Sequence, residues 1–80
     1  MLPEQIHQLK NLQHELNEIV EEIKICKEHL KNIRSQLVLS KKGKNNLLDY
    51  WNDELKYWTK ELNIYQKLEK ELETKIDDLV

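Results

Sequence analysis

SKKGKNN, residues 40 to 46, decides the fold, because long helical sequence on both sides of it is interrupted there. Gly43 has low helix propensity and enters the left-handed backbone region without a steric penalty. Asn45 and Asn46 tolerate that region, so a turn is predicted over 41–46. Working outward, the question is whether the flanking sequence can fold back on itself.

Upstream, Leu9, Leu12, Leu16, Ile19, Ile23, Cys26, Leu30, Ile33 and Leu37 recur at steps of three and four. That spacing puts them on one stripe of an amphipathic helix, with Leu9 at heptad position a and Leu12 at d. Pro3 suits the first turn of that helix, where its missing N–H costs nothing. Downstream, Leu48, Trp51, Leu55, Trp58, Leu62, Tyr65, Leu72, Ile76 and Leu79 follow the same rule, breached only by Glu69. The prediction is an all-α chain of one domain, 1–80, with a helix over 3–40, a turn over 41–46 and a helix over 47–79.

Antiparallel packing sets an a residue of one helix against a d residue of the other. Leu37 with Trp51, Leu30 with Trp58, Cys26 with Leu62, Leu16 with Leu72 and Leu9 with Leu79 all pair symmetrically about residue 44, inside the predicted turn. Each helix would be ~50 Å long. The competing arrangement is one continuous helix of ~110 Å, with a four-residue shift of register absorbed as a stutter. The antiparallel coiled-coil hairpin is the expected fold.

Trp51, Trp58 and Tyr65 all fall at d opposite aliphatic residues, as in an interdigitating mixed core. An indole there can reach a carboxylate such as Glu54 with its N–H. Tyr50, Tyr57 and Ile64 fall at c, and with Leu47, Glu54, Glu61 and Leu68 they draw a second, partly polar stripe. A two-helix hairpin has nothing to bury this stripe against, so Leu47, Tyr50, Tyr57, Ile64 and Leu68 are the expected partner-binding residues. Helix 1 adds Ile6, Val20, Ile25, Val38 and Leu39 outside its own seam. At Glu69 the expectation is a local rotation that puts Leu68 into the seam and the carboxylate into water.

Eighty residues with 35% charged side chains, one Gly and one Pro have the composition of long exposed helices. A chain of this size rarely stabilises itself with one core, so self-association is expected, as a dimeric four-helix bundle. The net charge of −2 gives no global field toward nucleic acid or membrane. Glu21 with Lys24, Glu28 with Lys31, Asp53 with Lys56 and Glu71 with Lys75 are opposite charges at helical spacing, expected to neutralise the helix faces. Nucleic acid is therefore not an expected partner, apart from phosphate contacts by Lys41, Lys42 and Lys44 at the turn.

No catalytic, cofactor or metal site is expected. HELNE at 14 to 18 lacks the second histidine of a zinc protease motif, and His7, His14 and His29 fall away from the sole cysteine. Cys26 lies in the seam as a small buried hydrophobe, and a lone cysteine suggests a reducing, cytoplasmic setting. No apolar run approaches the ~20 residues of a membrane span, and MLPEQIHQL lacks the order of a signal peptide. Asp77 and Asp78 in a last helical turn oppose the helix dipole, as though the end frays or the helix continues in a longer chain. The sequence thus reads as a non-catalytic interaction or scaffold module, with a small inhibitor of another macromolecule, or RNA or DNA binding through the basic turn, as the alternatives.

Overall fold

The computed structural model describes residues 2–43 and 47–80. It has two helices, α1 (Pro3–Lys41) and α2 (Leu48–Leu79), packed side by side, and no strand among the described residues. The principal extents are 62 × 14 × 13 Å, which excludes the ~110 Å rod and fits a 39-residue helix with its partner folded alongside.

The ends of α1 follow local chemistry. Pro3 sits in the first turn, and the Gln5 side chain accepts a hydrogen bond from the Leu2 N–H at 2.9 Å. This meets one of the donors that a helix start leaves open. At the other end the Lys42 N–H reaches the Val38 carbonyl and the Gly43 N–H reaches that of Ser40, each at 3.1 Å. Gly43 has a φ of 75°, the left-handed conformation that a side chain would disfavour. Lys44, Asn45 and Asn46 lie outside the described residues.

The seam follows the predicted spacing from Leu9 to Leu37 and from Trp51 to Leu79, whereas Leu48, expected to begin it on α2, is exposed at the first turn of that helix. Ile23, Cys26, Leu30, Ile33, Leu37 and Leu72 form the buried apolar core, and the remaining a and d residues from Leu9 to Ile19 and from Trp51 to Leu79 are half-buried. Ser40, one heptad after Ile33, extends the buried row. Neighbours across the helices run antiparallel: His29 near the turn meets Trp58, and Leu12 toward the open end shares a groove with Leu79.

Glu69 departs from expectation. It stays half-buried while Leu68 is 38% exposed, so the helix does not rotate and the heptad register continues unbroken. The carboxylate enters a groove that it shares with Lys24 and Lys27 of α1. No ion pair closes there among the described residues, so those lysines act on the carboxylate only through the local field.

Candidate functional site

An antiparallel pair of heptad helices has two broad flanks beside its seam, one made of the g and c positions of both helices and one of the e and b positions. The first flank carries the aromatic stripe. Tyr50 and Tyr57 are 52% and 54% exposed, and Leu47, Ile64 and Leu68 are exposed beside them. Ile25 and Leu39 of α1 are exposed and occupy c positions of the same flank. Together these residues form an apolar patch that runs from the turn to just past the middle of the hairpin, where Leu68 ends it.

The patch is braced by ring contacts. Tyr57 meets Trp58 edge-on with centroids 5.1 Å apart, and Tyr50 meets Trp51 in the same way at 4.9 Å. His29 lies flat against Trp58 at 4.0 Å and 10°. By spacing alone His29 has no assigned partner; its place across the seam from Trp58 becomes visible only once the register is fixed. Such ring pairs contribute about 0.5–1.5 kcal/mol beyond the area they bury.

The two indoles differ in their polar end. Trp58 Nε1 donates to Glu54 Oε2 at 3.0 Å, one helical turn earlier. The residue one turn before Trp51 is Leu47, which has no acceptor in its side chain, and Trp51 Nε1 is buried without a hydrogen-bond partner.

Beneath the patch, Cys26 is fully buried, and its thiol pKa is raised above the usual 9.0 by burial first and then by Glu22 and Glu61. The Tyr65 hydroxyl is likewise raised above 10.0, by desolvation first and then by Glu22, Glu61, Cys26 and Tyr57. Both groups stay neutral at physiological pH, so Cys26 has the character of a core residue and not of a nucleophile. His14 Nε2 and Glu18 Oε1 approach to 3.0 Å on the solvent side. No cluster of three or more metal-ligating side chains occurs among the described residues, and no helix is long and apolar enough to cross a membrane.

Charge is segregated between the flanks, which pairwise reading along the sequence misses. On α1 every cation up to Lys41, namely Lys10, Lys24, Lys27, Lys31, Arg34 and Lys41, occupies an e or b position. Glu4, Glu15, Glu18 and Glu22 occupy g or c, and no α1 acid lies on the e/b flank. In α2 the trend continues, with Lys56 and Lys70 at b and Glu54, Glu61, Glu71 and Asp78 at g or c, while Lys75 and the acids Asp49, Glu73 and Asp77 run against it. None of the four same-helix pairs expected to neutralise the faces closes to an ion pair among the described residues. Lys41 lies in line with the basic flank, Lys42 is exposed at the end of α1, and Lys44 lies outside the described residues.

The site thus belongs to a two-helix hairpin with one aromatic, acidic flank and one basic flank. No protein-family model matches the chain, and neither the curated proteins nor the solved structures contain a match.

Proposed function

We propose that the hairpin is a non-catalytic protein-interaction module, resident in the reducing cytoplasm, that pairs with a second copy through the aromatic patch to form a dimeric four-helix bundle. The exposed row Leu47, Tyr50, Tyr57, Ile64 and Leu68 carries this reading. Area supports it. A compact monomer of 9.7 kDa would expose about 5,100 Å², whereas the hairpin exposes 6334 Å². The surplus exceeds the ~800 Å² that each partner of a standard interface covers.

Electrostatics selects how two copies would overlap. Glu15, Glu18, Glu22, Glu71 and Asp78 crowd the open-end half of the patch-bearing flank, so full-length parallel overlap would set acid against acid, and full-length antiparallel overlap would lay those acids on the partner's apolar patch. Overlap from the turns to just past the middle of each hairpin, with open ends pointing apart, buries both patches and separates most of the acids. Glu54 and Glu61 remain at the rim, Glu54 already engaged by Trp58. Light scattering tests the pairing: the wild-type chain should have the mass of a dimer, and the Tyr57→Asp, Ile64→Asp double variant that of a helical monomer. An unchanged mass in the variant contradicts the assignment.

The acids of the same flank favour a second reading, a small regulator that docks a basic amphipathic helix of another protein. It predicts a wild-type monomer and salt-sensitive capture of such a helix.

A further inference from the structure

The basic flank is not used by the proposed pairing, and it has a regularity of its own. Lys24, Lys27, Lys31, Arg34 and Lys41 form a row along α1 that spans about 25 Å. All five are exposed, none is held in an ion pair among the described residues, and no acid of α1 shares their flank. Lys24, Lys27 and Lys31 line one groove with Gln66 of α2, and Lys56 stands on the facing helix. Glu28 and Glu69 also line that groove, at its outer edge and at the seam, and Asp49 of α2 shares the flank at its turn end.

We infer that this row is a binding site for the phosphodiester backbone of a nucleic-acid duplex. A linear array of unpaired cations matches a linear polyanion, and its affinity arises from released counterions. The choice of duplex follows from the facing positions of α2 on this flank, which include Asn52, Thr59, Asn63 and Gln66. Every tyrosine and tryptophan lies at c or d, so no ring is available here to stack on the unpaired bases that a single strand would offer. Polar amides and hydroxyls on a cationic ridge suit phosphate and sugar contacts without base reading.

The net charge of −2 does not forbid this. The acidic flank lies across a body 13–14 Å thick, well beyond the ~8 Å Debye length at physiological salt. The site needs one hairpin only, so it does not depend on the pairing proposed above.

The test is fluorescence anisotropy with the full chain and labelled DNA duplex, RNA duplex or single strand of about 20 nucleotides per strand, over 50–200 mM salt. Binding to a duplex should weaken about 10²- to 10³-fold across that range, corresponding to about five phosphate contacts. The two duplex arms decide whether DNA or RNA is preferred, and both should bind more tightly than the single strand. Lys24→Glu with Lys31→Glu should abolish measurable binding, whereas Lys67→Glu with Lys75→Glu, the same change of charge away from the row, should weaken it less than about fivefold, a residue of long-range electrostatics. Circular dichroism confirms that both variants remain helical, and Lys→Gln versions serve if either does not. Equal losses in the two variants, no duplex binding at the lowest salt, or tighter binding to phosphatidylserine vesicles would overturn the inference.

Discussion

Near the turn, α1 buries Ile23, Cys26, Leu30, Ile33 and Leu37, whereas toward the open end Leu9, Leu12, Leu16 and Ile19 keep the same spacing and are only half-buried. The heptad rule is common to both halves; the partners are not. Trp51, Trp58 and Tyr65 cover the first set, and the smaller Leu72, Ile76 and Leu79, preceded by Glu69, cover the second. Large rings spread over neighbouring aliphatic residues and exclude water from them, while aliphatic side chains on a two-helix seam leave its edges open. Identical periodicity therefore gives α1 a buried half and a half-buried one, while Leu72 is the buried residue of α2 in the open half, and the proposed interface lies mainly on the half that α1 buries.

The largest effect expected from this contrast is at Trp58. Trp58→Ala should destabilise the hairpin by about 3 kcal/mol or more, because it uncovers Leu30 and removes the platform for His29 and Tyr57. Ile76→Ala in the open half should cost about 1 kcal/mol, since less apolar area is hidden there. Urea denaturation measures both, and equal losses would erase the distinction between the halves.

Glu69→Leu sharpens the comparison from the other side. It should stabilise the chain by about 1–2 kcal/mol by completing the seam of the open half with apolar area. Faster hydrogen exchange in residues 66–76 of that variant would show that the carboxylate supports the open half. A smaller effect is expected at Glu54. Glu54→Leu leaves the Trp58 N–H without its acceptor, as Trp51 already is, at a cost of about 1 kcal/mol seen in thermal unfolding.

The smallest effect is alkaline. The folded pKa of Cys26 is raised, so its contribution to stability is fully present below the unfolded value near 9.0 and is lost as pH rises through the folded value. Stability should decline above about pH 9, less steeply in Cys26→Ala, and a thiol reagent should label native Cys26 only as fast as the hairpin opens. Rapid labelling at neutral pH would contradict its burial.

Much of this organisation was legible in the sequence. The apolar spacing on both sides of Gly43 specified two helices and the stripe along which each packs, because heptad position is a local property. The Glu54 acceptor for an indole was legible for the same reason, being one turn from Trp58. Glu69 was misread because the lysines of its groove lie on the other helix. His29 was missed likewise, since its stack with Trp58 exists only across the seam. Charge segregation escaped a reading by pairs because Glu21 and Lys24 are close along one helix yet belong to different faces of the hairpin. What spacing along one chain shows is which residues share a stripe; what two stripes bring together needs their mutual register.

The most direct test of the account is a dipolar distance between copies, with one spin label per chain in a Cys26→Ala background. A label at Ser35, near the turn, should report an inter-copy distance of roughly 25–35 Å, and one at Gln8, near the open end, a distance beyond roughly 60 Å, if the turn-proximal halves overlap and the open ends point apart. Closer approach at Gln8 than at Ser35, or no coupling between copies at either position, would contradict the aromatic patch as the surface through which this hairpin pairs.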